Sequence, residues 1–258
     1  MADGDSFFSC GYDLHDPALY SNVTPTGNEG GFGSILLITL DVVGPLAAKK
    51  SLRTSGMSWA ERFESDKNLA LEAEIMHRIG PNPYIVPMFA AGFSPIFGDA
   101  ICMQACSCNG QHVQAGYFTS AFERGLPFVG LSTATFFRMA TDAASGLSFV
   151  HWRGYNHHDV KPGNILVVRG GAQDGTYTVG DTIFNIYLCD FGLAKEKDET
   201  FRGGTDGYIP PECITVDGNI YGTSNECVDV YALGVMFRSL MTGEVHSFVC
   251  SVYIYGLF

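Results

Sequence analysis

Two short runs of strand-forming residues, Ile165-Leu166-Val167-Val168 and Ile186-Tyr187-Leu188-Cys189, flank a glycine-rich interval from Gly170 to Gly180. Runs of this kind on either side of turn-forming residues pair with each other, so the spacing predicts an antiparallel hairpin with a long loop. The pairing constrains what lies beside it. Asn164 immediately precedes the first run and Asp190 immediately follows the second, which puts both side chains at the same open end. A carboxamide oxygen and a carboxylate there suit a hard cation such as Mg²⁺, which takes one or two protein ligands and completes its shell with phosphate oxygens and water.

Just upstream runs Asn156-His157-His158-Asp159-Val160-Lys161-Pro162-Gly163-Asn164, in which an acid, a cation and an amide are close enough to converge on one transferring group. This segment resembles the protein-kinase catalytic loop H-R-D-x-x-x-x-N, and Asp190-Phe191-Gly192 resembles the D-F-G triplet that follows it in that family. The resemblance implies that Asp159 accepts or orients the proton of a substrate hydroxyl, that Lys161 neutralises the γ-phosphate, and that Asn164 and Asp190 hold Mg²⁺. A lysine two residues after the acid is typical of the Ser/Thr-type members. A lone aspartate would read as an ordinary cap or turn residue. In this spacing that reading recedes.

Nearer the N-terminus, Gly27-Asn28-Glu29-Gly30-Gly31-Phe32-Gly33-Ser34-Ile35 resembles the kinase glycine-rich loop. Glycine lets backbone N–H groups approach phosphates closely. Gly30 and Gly33 match two of the family's glycines, and Asn28 stands at the first, where asparagine tolerates left-handed backbone better than most residues. Leu46-Ala47-Ala48-Lys49 resembles V-A-I-K, whose lysine contacts the α- and β-phosphates. Lys50 is the rival. Side chains alternate along a strand, so an inward-facing Ala47 brings residue 49, and not 50, to its own side. The helical pattern from about Trp59 to Ile79 puts Leu69, Glu72, Met76 and Ile79 on one face. A carboxylate on an apolar stripe needs a cation, so Glu72 is the expected partner of Lys49, and Glu74 a solvated charge. The resemblance further implies nucleotide contacts at Ile35, at Ala47, at Leu166, and in a hinge that includes Met103, Gln104 and Cys106.

Further on, Gly204-Thr205-Asp206-Gly207-Tyr208-Ile209-Pro210-Pro211-Glu212 resembles the end of a Ser/Thr-kinase activation segment, with Pro210 in place of the alanine of A-P-E. By that resemblance Thr205 helps to position Asp159. Thr200 reads either as an activating phosphosite or as an ordinary exposed threonine. Asp229, in Val228-Asp229-Val230-Tyr231, matches the buried helix aspartate that braces the catalytic loop. His158 replaces the arginine that gathers a phosphorylated activation loop in many members, a task open to histidine only when protonated.

The fold these motifs imply is α+β and bilobal: an N-terminal extension over 1–19, a lobe of small sheet and one main helix over 20–106, and a mainly helical lobe over 107–258, joined through Ser107 to Gly116. After a helix expected from about Val228 to Met241 the family continues with several more helices. Here Val245 to Phe258 is apolar and β-prone. The expectation is a domain lacking its last helices, less stable than a complete one, with Glu212 deprived of an arginine partner. The implied activity is transfer of the ATP γ-phosphate, with Mg²⁺, to a Ser/Thr hydroxyl of a protein; the alternative is a weakly active or inactive ATP-binding scaffold. A dinucleotide-dependent oxidoreductase would need a helix after the glycine-rich turn, where strand pattern follows.

A net charge of −12 disfavours nucleic acid as a partner, because phosphate-backbone binding depends on clustered Lys and Arg. Asp3, Asp5, Asp13 and Asp16 break the basic-then-apolar order of a secretory signal, and no apolar run is long enough for a membrane span. Eight scattered cysteines without C-x-x-C spacing read as reduced thiols. His151, His157 and His158 have no matching ligand set. The chain therefore reads as a soluble cytoplasmic protein, with a nuclear location also compatible.

Overall fold

The computed structural model describes residues 10–11, 14–30, 33–41, 43–105, 133–169, 177–179, 182–215 and 217–242. They belong to two units, one made of the chain up to Pro81 together with Val86–Cys106, the other of Asn82–Ile85 together with the chain from Ser107 onward.

In the first unit, strands β1 (Cys10–Gly11), β2 (Tyr20–Gly30), β3 (Gly33–Leu40), β4 (Gly44–Lys50), β5 (Met88–Ser94) and β6 (Gly98–Gln104) form one antiparallel sheet in the order β1-β5-β6-β4-β3-β2. Cys10 and Gly11, inside the stretch expected as an extension, pair with Ala91 and Ala90. Strand alternation sorts β4: Leu46 and Ala48 are buried in an apolar cluster with Leu14, Ile38, Leu40, Ala90, Phe97 and Cys102. Ala47 and Lys49 therefore point to the opposite face. Helix α1 (Trp59–Ile79) starts at a capping box, where Ser58 Oγ accepts the Glu61 N–H and the Glu61 carboxylate accepts the Ser58 N–H. It buries Leu69, Glu72, Ala73, Ile75, Met76 and Ile79. Each fully buried Leu, Ile or Met contributes roughly 1.5–3 kcal/mol relative to exposure, which anchors the stripe that carries Glu72.

The second unit contains α2 (Thr133–Trp152), β7 (Tyr155–Asn156), β8 (Ile165–Arg169), β9 (Tyr177–Val179), β10 (Thr182–Leu188), β11 (Lys195–Glu196), β12 (Thr200–Arg202), β13 (Tyr221–Thr223) and α3 (Glu226–Thr242). The predicted hairpin is β8 against β10, with Leu188 opposite Ile165 and Phe184 opposite Arg169. Two details differ from expectation. The interval read as loop carries β9, which pairs with β10, because Tyr177-Thr178-Val179 are themselves strand formers; and Cys189 lies just past the end of β10. Short ladders join β11 to β7 and β12 to β13.

Asn82–Ile85, inside the stretch expected as the first lobe, pack with the second unit. Tyr84 O accepts the Leu188 N–H at 2.8 Å, and Ile85 bridges Leu188 in parallel fashion. Helix α2 presses on this segment through Gly146, where an added Cβ would come within 3.0 Å of Tyr84 O. The connection expected over 107–116 and the stretch 245–258 lie outside the described residues. Among the described residues no helix is long and apolar enough to cross a membrane.

Candidate active site

In the first unit, Lys49 Nζ donates to Glu72 Oε1 at 2.8 Å and to Oε2 at 2.7 Å. Both side chains are almost wholly buried, Lys49 at 7% exposure and Glu72 at 3%. Lys49 sits opposite Ile35 of β3 and Ile101 of β6, while Ala47 sits opposite Leu37 and Met103. Lys50, on the other side of the pleat, has no part in the pair. Glu74 instead meets Arg78 one turn along, at the surface. Within the glycine-rich segment Gly30 of β2 pairs with Gly33 of β3. A strand, not a helix, follows, which sets the dinucleotide reading aside. Met103 and Gln104 end β6, with the Gln104 N–H donating to Pro87 O at 2.9 Å. Cys106 lies outside the described residues.

In the second unit, the catalytic-loop residues converge on Asp159, which is 4% exposed. Its Oδ1 accepts the Thr205 hydroxyl at 2.6 Å. Its Oδ2 accepts the Asn164 amide at 2.9 Å and lies 2.8 Å from Lys161 Nζ. Lys161 also donates to Thr205 Oγ1 at 2.8 Å, which closes a ring of three residues. Thr205 reaches Asp159 because Gly204, at φ +133, lets the chain pass Ile209. A Cβ at Gly204 would fall 2.1 Å from Ile209 Cδ1. Leu166 is half-buried on β8, opposite Tyr187.

Asn164 immediately precedes β8 and Asp190 follows β10, its paired neighbour, and the Cys189 N–H donates to Asn164 O at 2.9 Å. Asn164 turns its Nδ2 to Asp159, onto both the carboxylate and the backbone O at 2.7 Å. Its Oδ1 is then the atom with lone pairs to offer a cation. Asp190, at φ +66, is half-buried and turns the chain out of β10. A carboxylate and a carboxamide oxygen are the hard donors that Mg²⁺ prefers, so the residues present fit that ion.

Three histidines frame this loop. His157 Nδ1 accepts the Asp159 N–H at 3.2 Å, so its proton sits on Nε2, which donates to Cys189 O at 3.0 Å. The ring packs on Phe191, centroids 4.9 Å apart. The fully buried Asp229 accepts the His157 N–H at 2.7 Å and the His158 N–H at 2.8 Å, and His151 Nε2 lies 2.9 Å from its carboxylate. Burial pushes the Asp229 carboxyl up, but the His151 hydrogen bond, the interactions with His157 and His158 and the backbone donor outweigh it, and the net shift is downward.

His158 is not displayed for a phosphate. It lies stacked on Phe201 at 4.0 Å and 11°, with Nε2 2.8 Å from Ser224 Oγ. Burial pushes its pKa down to about 4, against the pull of Asp229. Because the folded value lies below the ordinary 6.5, the unfolded chain takes up this proton first as pH falls. Stability from this group is complete above pH 6.5 and drains away as pH falls towards about 4, by about 3 kcal/mol in all. Urea unfolding of the wild type and of His158→Gln across that window checks this: the variant should have the flatter pH profile, and equal profiles would refute it. Glu212 and Thr200 both lie exposed, so the Glu212 charge is hydrated and no buried unpaired carboxylate arises.

A profile of the protein kinase domain matches residues 21–249, and the chain belongs to the protein kinase family. It is 34% identical over 228 residues to LysM domain receptor-like kinase 10 of Oryza sativa subsp. japonica, a match covering 84% of this chain and 31% of that protein. It is 26% identical over 220 residues to G protein-coupled receptor kinase 2 of Drosophila melanogaster, covering 84% of this chain and 27% of that protein. It is 26% identical over 225 residues to dual specificity mitogen-activated protein kinase kinase sek-1 of Caenorhabditis elegans, covering 83% of this chain and 57% of that protein. The chain thus spans less than two thirds of each.

Sequence reasoning missed His151 and Ser224. His151 closes the end of α2, and only the packing of α2 near α3 brings it to Asp229. Thr223-Ser224-Asn225 before a helix reads as a set of cap candidates. The cap is Asn225, whose Oδ1 accepts the Cys227 N–H at 3.0 Å, which leaves the Ser224 hydroxyl for the interior.

Proposed function

We propose that this chain transfers the γ-phosphoryl group of ATP to a serine or threonine hydroxyl of a protein substrate. The observation that carries the reading is the Asp159 carboxylate, tied on both oxygens by Thr205, Asn164 and Lys161. A carboxylate held in this way keeps one orientation towards an incoming hydroxyl, and orientation together with electrostatic stabilisation supplies most of the catalysis in phosphoryl transfer. Asp159 accepts or orients the hydroxyl proton. Lys161 meets the γ-phosphate, Lys49 the α- and β-phosphates, and Glu72 holds Lys49. Gly30, Gly33, Ile35, Ala47, Met103, Gln104, Cys106 and Leu166 line the nucleotide. Asn164 and Asp190 would hold Mg²⁺, which when bound would offset the negative charge of the phosphates.

The Ser/Thr preference rests on Lys161 and on its bond to Thr205; a dual specificity kinase among the relatives makes tyrosine the competing acceptor. A cytoplasmic setting goes with ATP as donor and with the free thiols of Cys102, Cys213 and Cys227. The test is incubation with Mg²⁺ and γ-labelled ATP in the presence of a mixed protein substrate, followed by phosphoamino-acid analysis. Phosphoserine and phosphothreonine are expected. Phosphotyrosine alone would overturn the acceptor class, and label transfer that persists undiminished in Asp159→Asn would overturn the site.

A further inference from the structure

Ser224 has no exposed surface, although it stands between a short strand and a helix cap in a region of exposed polar residues. Its Oγ accepts the Asn156 amide at 2.8 Å and lies 2.8 Å from His158 Nε2. Its backbone reaches a third segment: the Asp198 N–H donates to Ser224 O at 2.9 Å, and the Ser224 N–H donates to Glu199 O at 2.7 Å. One small residue therefore joins β7, the catalytic loop beside Asp159, and the stretch between the D-F-G triplet and Thr205. The contact continues through Phe201, which lies flat on the His158 ring and is itself 1% exposed.

Resting on the kinase reading above, we propose that Ser224 is a positioning residue for phosphoryl transfer: its hydroxyl, with His158 and Asn156, clamps the activation segment against the catalytic loop without a phosphate group. The chemistry of the clamp favours neutral partners. A serine hydroxyl offers one proton and two lone pairs, and the Asn156 N–H takes one of those lone pairs. A neutral imidazole completes the set by a single hydrogen bond on Nε2. The His158 ring offers a phosphate no counter-charge, because it is stacked, buried and neutral. The cluster also carries a cost that ordinary packing would not select: Asn156 Oδ1 and His158 Nδ1 are buried with no hydrogen-bond partner among the described residues. Positioning is what such a polar cluster provides in return.

The test compares the wild type, Ser224→Ala and the size-matched Ser224→Cys, all treated with phosphatase. Folding is checked by melting, and kcat, KM for ATP and amide hydrogen exchange at residues 198 and 224 are measured. The clamp predicts that both variants lose kcat by about tenfold while KM for ATP stays within about twofold, and that exchange at the two amides speeds up by about tenfold. Thr200→Ala, at an exposed position, keeps wild-type activity. A folded variant with wild-type kcat, unchanged exchange at both amides, or a wild type that loses activity or amide protection on phosphatase treatment would each overturn the clamp. If the wild type itself gives no Asp159-dependent transfer, it is the kinase reading that fails, and the exchange data alone decide for or against Ser224.

Discussion

Asp159→Asn is expected to lower the rate of phosphoryl transfer by about 10²–10⁴-fold, the range lost when a positioned general base is removed. The asparagine is the same size, so the surrounding loop remains. With its carbonyl in the Oδ1 position the asparagine still accepts from Thr205, and the Oδ2 position, which faces Asn164 and Lys161, becomes an NH₂ group. That group cannot accept from Lys161, which lies 2.8 Å from the native Oδ2. The ammonium is left with Thr205 as its partner, and the hydroxyl proton of the substrate loses its acceptor. Melting of the variant should stay close to the wild type, because Lys161 is partly exposed and its ion pair contributes little to stability. Initial-rate assays at saturating ATP measure the effect, and a rate within about tenfold of wild type would remove Asp159 from the chemistry.

Lys49→Met is expected to destabilise the first unit by about 3–5 kcal/mol, the cost of stranding one member of a buried ion pair. Glu72 accepts from Lys49 on both oxygens and sits on the apolar stripe of α1 at 3% exposure. Without the ammonium its carboxylate must stay charged in an apolar setting or take up a proton. The double variant Lys49→Met/Glu72→Leu removes both charges and should recover most of the loss, because replacing a whole buried pair by apolar groups is often neutral. Urea denaturation of the two single variants and the double completes the cycle. Should the single change cost less than about 1 kcal/mol, water reaches the pair and it is no more than a surface contact.

The parts of the site that lie close together in the chain, or repeat with a regular period, were legible. The two runs around the glycine-rich interval pair as β8 and β10 because strand formers separated by turn residues have few alternatives. The two-residue period separated Lys49 from Lys50, and the helical period separated Glu72 from Glu74, since each period sends one of the two away from the apolar side. What escaped depends on packing between elements distant in sequence. Nothing near Ser224 signals burial, because a serine before a helix has a local use as a cap. Nothing near His151 points to Asp229. The His158 substitution could be read only as the loss of a cation; that the ring instead lies flat on Phe201 is a fact of tertiary structure. Strand β9 was hidden by the glycines around it.

The chain enters the second unit at Asn82, leaves it after Ile85 and returns at Ser107, so neither unit is a single stretch of polypeptide. During synthesis Tyr84 emerges well before Leu188, the residue whose N–H its carbonyl accepts. Contacts of such long sequence separation raise contact order and slow folding, because the loop must close before the contact rewards it. Until β10 has been made, the Tyr84 carbonyl waits without the N–H it accepts, a state that favours chaperone capture on the ribosome. A cut between the two regions of sequence would therefore not release two independent modules. The second would lack four residues that the first carries away.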